Sequence, residues 1–390
     1  MEVLVWMTIT FGKQGPSVHL LTAIIEVLCK KGYTVHIIQK GINGDMPLIP
    51  DCLKNYDITM DCVSVKEAPK SNFFGRYWVE LAYFFNSLKY VKKYKNSRFV
   101  FNQSSIVSGM MAIASKMLLK KAKLTINVQD IFPDNALFAG SVNPFICKLM
   151  SIEPKIAYKK ADSIITISED MKDLLVQKGV DAKKIDVIYN WSYQDEPYKY
   201  DEIKNNTIAS MLTDEFFNVV YAGNIGVMQN VDVVVEAARK MNDAGVMFHI
   251  FGNGIYKDKL QKQAEGLNNI KFWDMQPSKL APSIYGMADV NIIPLAKNIH
   301  KTALPSKTAT CLACQKPIIF CFDKSSKFGN WMNKEAGCYV IDCDDAEALC
   351  NTIKEIKKSD AVIDRSELFK ENFSKSKNSA RYADIITDKV

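Results

Sequence analysis

Long apolar runs are missing from this chain. No stretch of about 18 consecutive apolar residues occurs, which excludes a helix that spans a bilayer. The start is equally poor in targeting signal, because Met1-Glu2 opens acidic and Val3 to Met7 is too short for a signal-peptide core. Histidine is scarce at four residues, no two of them have metal-ligand spacing, and no Asp-x-Asp triplet suggests a divalent-metal sugar-nucleotide site, so metal-independent chemistry is expected. The dinucleotide fingerprint GxGxxG is absent too: Gly12 and Gly15 form GxxG before Pro16, and Gly252-Asn253-Gly254 lacks the third glycine, which argues against a nicotinamide enzyme. Ten cysteines are present without the regular short spacing of a disulfide framework. Cys311-Leu-Ala-Cys314 is a lone CxxC read as small buried residues on a helix, and the chain reads as cytosolic with reduced thiols. A formal charge of +7 is small for 390 residues, and nucleic-acid binding is not expected.

What the chain has is apolar residues, 48% of the total, in an alternating pattern. At 390 residues it exceeds one hydrophobic core, so two domains are expected. Strand signals at Val3 to Met7, Tyr33 to Ile38, Phe99 to Phe101, Leu124 to Val128, Ser163 to Ile167 and Ile185 to Ile188 alternate with helical periodicity. Ser17 is expected to cap the first helix. This pattern predicts a doubly wound parallel α/β sheet over 1–200. From 190 to 216 the periodicity fails, as it does in a connection. It resumes with strands at Phe217 to Ala222, Val246 to Phe251, Ile270 to Trp273, Val290 to Ile293, Ile318 to Cys321 and Cys338 to Ile341. A second Rossmann-like domain is therefore predicted over 201–366, with a polar helix over 367–390 closing back on the first. Ligands of such sheets bind beyond the carboxyl ends of the strands, which directs attention to the loops that follow them.

Tyr221 to Gln229, YAGNIGVMQ, carries two glycines and no acid between a strand and a helix-patterned segment, a place where backbone N–H groups can meet a phosphate. Leu304-Pro305-Ser306-Lys307 is expected to open a helix with Lys307 in its first turn, where a cation opposes the helix dipole unless an anion binds there. Asp130, in Gln129-Asp130-Ile-Phe-Pro-Asp134, follows a strand and is placed to act as base toward a hydroxyl or to bind a sugar. Asp134 is read as the cap of the next helix. His19 falls in the opening turn of the first helix, near the same edge, whereas His36 and His249 sit in strands and read as core. Residues 73–98 hold nine aromatic residues and six Lys or Arg against one acid, Glu80. Phe74, Trp78, Leu81, Phe85 and Leu88 form one stripe, with Phe73, Tyr77 and Phe84 beside it. One stripe suffices for a core, and the other with its lysines suits an anionic membrane surface. A wide buried stripe beside a solvated charge run accounts for the pattern equally well.

Tyr189-Asn-Trp191, YAGNIG, Gly252-Asn-Gly254, LPSK and Gln315-Lys-Pro317, in that order and with QDIFPD, resemble the family 4 glycosyltransferases of the GT-B fold, in the branch that builds bacterial capsule, O-antigen and exopolysaccharide. The resemblance covers nearly the whole chain. It implies a retaining, metal-independent hexosyltransferase without a cofactor. Its donor would be a nucleotide-diphospho-sugar bound by the second domain at Gly223, Asn224, Gly226, Gln229, Gly252, Asn253, Gly254, Pro305, Ser306, Lys307 and Thr310. The acceptor would be a saccharide, often polyprenyl-diphosphate-linked, meeting the first domain near Gly12, Gly15, His19 and Asp130 on the cytoplasmic face of the membrane. The sequence departs from the family at the EX7E pair, which falls on Thr302 and Thr310, and at its donor-binding Arg and Lys, which correspond to Asn224 and Gln229. A catalytically weakened binding subunit of an assembly complex, and a sugar-nucleotide epimerase, remain open as alternatives.

Overall fold

The computed structural model describes residues 1–11, 16–44, 48–66, 73–140, 142–242 and 245–388. The chain divides into two compact units, Met1–Asn190 with Lys375–Val390, and Trp191–Ser374.

The first unit is built on seven strands: β1 (Glu2–Trp6), β2 (Thr34–Ile42), β3 (Ile58–Val65), β4 (Phe99–Gln103), β5 (Lys123–Val128), β6 (Ser163–Thr166) and β7 (Ile185–Val187). Every pairing is parallel, in the order β3-β2-β1-β4-β5-β6-β7. Val3 registers with Val35 on one side and with Phe99 on the other. Central strands covered on both faces read as unbroken apolar runs, and Val3, Leu4, Val5 and Trp6 are wholly buried. β3 escaped the sequence reading for the opposite reason. It is an edge strand whose polar side is half open, and Asp61 in it accepts from Lys93 Nζ at 3.0 Å and from Tyr94.

The helix expected to be capped by Ser17 runs Pro16–Lys30, so Ser17 lies inside its first turn rather than at the cap. The helix Phe73–Lys93 buries Tyr83, Phe84, Ser87 and Val91, while Trp78 and Phe85 of the first aromatic stripe face outward. Its one acid, Glu80, pairs with buried Lys40. The tail is two helices rather than one, broken at Phe373 and Ser374. Ser366–Asn372 belongs to the second unit, and Lys375–Thr387 packs on β4, β5 and β6 of the first.

The second unit holds β8 (Phe217–Ala222), β9 (Val246–Phe251), β10 (Ile270–Trp273), β11 (Val290–Pro294), β12 (Ile318–Cys321) and β13 (Cys338–Ile341), all parallel, in the order β10-β9-β8-β11-β12-β13. Its core gathers Val219, Tyr221, Phe248, Ile250, Ile292 and Ile319 under the helices Asp232–Lys240 and Ala346–Lys357. Both sheets reverse strand order beside their first strand, between β1 and β4 and between β8 and β11. These reversals are the points where doubly wound sheets leave a crevice for ligands.

All ten cysteines are free, and Cys311 and Cys314 are buried among apolar neighbours as expected for packing residues. Burial pushes the Cys311 thiol up to about 12, the opposite of what a reactive thiolate needs.

Candidate functional site

In the second unit the loops after β8 and β11 flank the strand-order reversal, and they carry the YAGNIG and LPSK segments. The helix after LPSK starts at Thr308, not at Pro305 or Ser306, and Lys307 occupies its cap position without a side-chain cap bond. The Lys307 side chain turns back over β8. Its Nζ lies 3.7 Å from the centre of the Tyr221 ring, and a Cβ placed on Gly223 would meet it at 2.8 Å. That ammonium is shielded from water and has no hydrogen-bond partner among the described residues. Desolvation pushes it down to about 7 from an ordinary 10.5, an unfavourable state for a lysine held by a ring face alone. The neighbouring Thr308 hydroxyl is also buried without a partner among the described residues.

The turn after β8 differs from a simple strand-to-helix crossing. A 3-10 turn, Val227–Gln229, intervenes and the helix begins only at Asp232, whose carboxylate already sits in its first turn. That helix N-terminus is therefore not the anion site. Gly223 N–H donates to Phe251 O at 2.9 Å and Ile225 N–H to Asn253 O at 3.0 Å, so two of the loop's amides are used in packing. The alternate N–H groups, of Asn224 and Gly226, make no protein hydrogen bond among the described residues. Asn224 Nδ2 donates to Gln229 Oε1 at 2.9 Å, closing over Gly226. The two residues that replace cations thus hold each other.

Gly252 and Gly254 answer to a steric demand. Gly252 has φ +152°, and a Cβ there would lie 1.9 Å from Gly223 O; one on Gly254 would lie 2.0 Å from Ile225 O. The two glycines let the GNG loop press against the YAGNIG loop, and Asn253 joins them through its backbone carbonyl. Thr302 and Thr310 are buried, and Thr302 Oγ1 donates to Ile299 O at 3.0 Å. Gln315, at φ +54°, accepts from Arg365 N at 2.8 Å, which gives the QKP segment a structural purpose. His300 is buried with Nδ1 2.9 Å from Asp323 Oδ2, which also accepts from Asn298 N at 2.7 Å. This contact ties the loops after β11 and β12 together.

His249 is core, as its strand position implies. Trp273 Nε1 donates to its Nδ1 at 3.1 Å, so Nε2 carries the proton toward Asn218 Oδ1 at 3.0 Å. Desolvation lowers it to about 4, and the ring is neutral. His36 stacks on Tyr94 at 4.2 Å and bonds Thr59.

In the first unit, Asp130 follows β5 and keeps solvent access, yet desolvation by the surrounding protein pushes its carboxyl up to about 6. It makes no hydrogen bond or ion pair among the described residues. Gln129 beside it is fixed: Asn190 donates to its Oε1 at 2.8 Å, and its Nε2 donates to Asn127 at 3.0 Å. Tyr382 of the tail helix donates to the same Asn127 at 3.1 Å. The QD and YNW segments therefore form one network with the tail. Asp134 is not the cap; it lies in the first turn of Asp134–Phe138, pairing with Lys178 at 2.8 Å. His19 sits in the opening turn of Pro16–Lys30, partly buried. Gly12 and Gly15 lie outside the described residues.

Sequence reasoning passed over Tyr221 as a partner of Lys307, although the residue stood in the quoted segment. It also missed Glu153, whose Oε1 accepts from the N–H groups of Gly109 and, at 3.0 Å, Met110, filling the positive end of the helix Ser108–Leu118. Desolvation still pushes Glu153 up to about 7. No lone Glu in a helical stretch announces such a contact.

Comparison with known proteins places both halves. The description Glycosyltransferase Family 4 matches residues 17–191, and Glycosyl transferases group 1 matches residues 204–375. An Escherichia coli protein named for glycosyl transfer in colanic acid biosynthesis, WcaI, is 26% identical over 63% of this chain and 62% of its own. WbjE of Pseudomonas aeruginosa, named as a glycosyltransferase, is 24% identical over 61% and 60%. The chain thus aligns with about three-fifths of the length of these relatives. HepE of Anabaena, solved with UDP and glucose, superposes with a TM-score of 0.72 at 14% identity, covering 98% of this chain and 99% of its own. The two sheets are the GT-B architecture, and the chain belongs to the family 4 glycosyltransferases.

Proposed function

We propose that the protein is a retaining glycosyltransferase that moves a hexose from a nucleotide-diphospho-sugar to a lipid-linked saccharide acceptor in cell-surface polysaccharide synthesis. One observation carries the reading: Lys307 Nζ is buried without a hydrogen-bond partner among the described residues, beside a loop whose Asn224 and Gly226 N–H groups make no hydrogen bond to those residues either. An isolated buried ammonium destabilises a fold, and a diphosphate at that point would supply its missing counter-charge.

In this reading Lys307 and the Asn224 and Gly226 amides hold the leaving diphosphate and stabilise the charge it gains as the sugar departs. The bond from anomeric carbon to diphosphate oxygen breaks, and the bond to the acceptor oxygen forms. Asp130 receives the acceptor's hydroxyl proton; a carboxyl that ionises near 6 is better matched to that task than an ordinary aspartate. No metal or cofactor has a part in these steps. HepE, solved with UDP and glucose, offers a precedent for the donor chemistry. Gly252 and Gly254 serve the donor site by shaping its loops, and Ser306, Pro305 and Thr310 by setting the start of the Lys307 helix.

A second reading, a binding subunit with weakened catalysis, draws on Thr302 and Thr310 standing in place of the acidic pair, with Thr302 engaged by its own turn. A thermal-shift screen of nucleotide-diphospho-sugars, followed by product detection by mass spectrometry, separates the two. Binding with donor hydrolysis or transfer supports the transferase. Binding without either supports the subunit, and no binding at all counts against both.

A further inference from the structure

The loop 295–307, which runs from β11 to the helix after LPSK, is pinned from both sides. Leu295 N–H donates to Cys321 O at 3.1 Å and Ala296 N–H to Met228 O at 2.9 Å, so its start bridges β12 and the turn after β8. Asn298 then takes a left-handed φ of +65°, which is disfavoured for residues with a Cβ and least so for asparagine. Lys301 Nζ donates to Asn298 Oδ1 at 2.9 Å, and Asn298 N–H donates to Asp323 Oδ2 at 2.7 Å. The same carboxylate oxygen accepts from His300 Nδ1 at 2.9 Å.

A carboxylate only accepts, so Nδ1 carries the ring proton and Nε2 faces the exposed Ser325 hydroxyl at 3.5 Å, the outer limit of hydrogen bonding. His300 is 3% exposed, and Asp323 has no other charged partner among the described residues. Apolar side chains of like volume would join two loops about as well, without the cost of taking these groups out of water. What the directed pair adds is geometry, because two bonds converge on one oxygen and fix backbone and ring together. Lys307 ends the same loop, with Nζ 3.7 Å from the centre of the Tyr221 ring. Both ends of the loop thus rest on the β8 segment, through Met228 and Tyr221, and its middle rests on Asp323.

We infer that His300, held by Asp323, is a positioning residue of the donor site. It sets the loop that ends in Lys307 against the loop after β8, and so acts on a nucleoside diphosphate through Lys307 rather than by touching the phosphates. The inference rests on the diphosphate reading of Lys307, but the clasp itself is measured on the unliganded protein.

The test combines amide hydrogen exchange with calorimetric titration of uridine and guanosine diphosphate, on the full chain carrying His300→Leu, His300→Asn or Asp323→Ala. Leucine removes the Nδ1 donor, whereas asparagine places its Nδ2 where Nδ1 stands. His300→Leu and Asp323→Ala should each speed exchange of amides 296–303 about tenfold or more in the unliganded protein, and weaken diphosphate binding by about the same factor. The double variant should lose no more than Asp323→Ala alone, since both residues act through one contact. His300→Asn should restore both readings. Unchanged loop exchange in His300→Leu, faster exchange without loss of affinity, or faster exchange spread over the whole second unit would overturn the inference and leave the diphosphate reading standing. A loss in His300→Asn as deep as in His300→Leu would overturn it too. No diphosphate binding by the wild type would overturn the diphosphate reading, and this inference with it.

Discussion

Replacing Lys307 by Met should stabilise the unliganded protein while removing its affinity for nucleotide diphosphates. Methionine keeps the length and apolar stem of the side chain over the Tyr221 ring and removes only the ammonium. The folded protein holds that ammonium near pH 7, whereas the unfolded chain ionises it at an ordinary 10.5. The sign follows from proton counts. Below about 7 both states are protonated and the full penalty is present; between 7 and 10.5 only the unfolded chain keeps the proton, so stability from this group rises with pH; above 10.5 the penalty is gone. At pH 8 the remaining cost is about 3 kcal/mol, at ~1.4 kcal/mol for each pH unit. At pH 8 the folded-state amine is mostly neutral, so the cation–π contact it loses returns little of that. A net gain of roughly 3 kcal/mol raises the melting temperature by about 6–12 °C for a domain of this size. Differential scanning fluorimetry at pH 8, with and without a nucleoside diphosphate, reads both halves. A Met variant that melts at or below the wild type, or that is still protected by the nucleotide, would refute the reasoning.

Other substitutions probe separate links. Asp130→Asn should abolish transfer while leaving donor binding intact, and wild-type kcat/KM should fall as pH drops through about 6, because protonation removes the base; retained turnover in the Asn variant would make the residue structural. Gly252→Ala forces a Cβ into Gly223 O at a left-handed φ, and urea unfolding should show a loss of about 2–3 kcal/mol together with weaker donor binding. Glu153 ionises in the unfolded chain at an ordinary carboxyl value of 4.5 and in the fold only near 7, so its contribution to stability falls as pH rises across that window. Glu153→Gln, which still accepts from Gly109 and Met110, should flatten the pH dependence of the urea midpoint between pH 5 and 7; an unchanged profile would contradict the burial argument.

How legible the molecule was depended on which force set each feature. The buried central strands, β1 and β8 above all, announce themselves because burial on both faces demands unbroken apolar residues. The edge strand β3 has no such demand, and its Asp61 and Ser64 hide it. Lys307 could be singled out because a cation at a helix start is a local conflict visible in the sequence. Its seat on Tyr221 could not, since that contact joins residues 86 positions apart. The glycines of YAGNIG and GNG looked like phosphate cradles, yet Gly252 and Gly254 are fixed by the approach of one loop to another, a constraint no spacing rule contains. Asn224 and Gln229 read as lost cations until their mutual hydrogen bond gave them a purpose. In 73–98, composition alone could not say which aromatic stripe faces inward. Tyr83, with Phe84 of the second stripe, fills the core, and Trp78 and Phe85 of the first do not.

The central claim is that Lys307 waits for a diphosphate. Isothermal titration of a nucleoside diphosphate at pH 8, in buffers of different ionisation enthalpy, counts the protons taken up on binding. An ammonium that is mostly neutral at pH 8 must charge when it meets the anion, so uptake approaching one proton is expected in the wild type and near zero in Lys307→Met. Binding with no proton uptake in the wild type would place the diphosphate elsewhere.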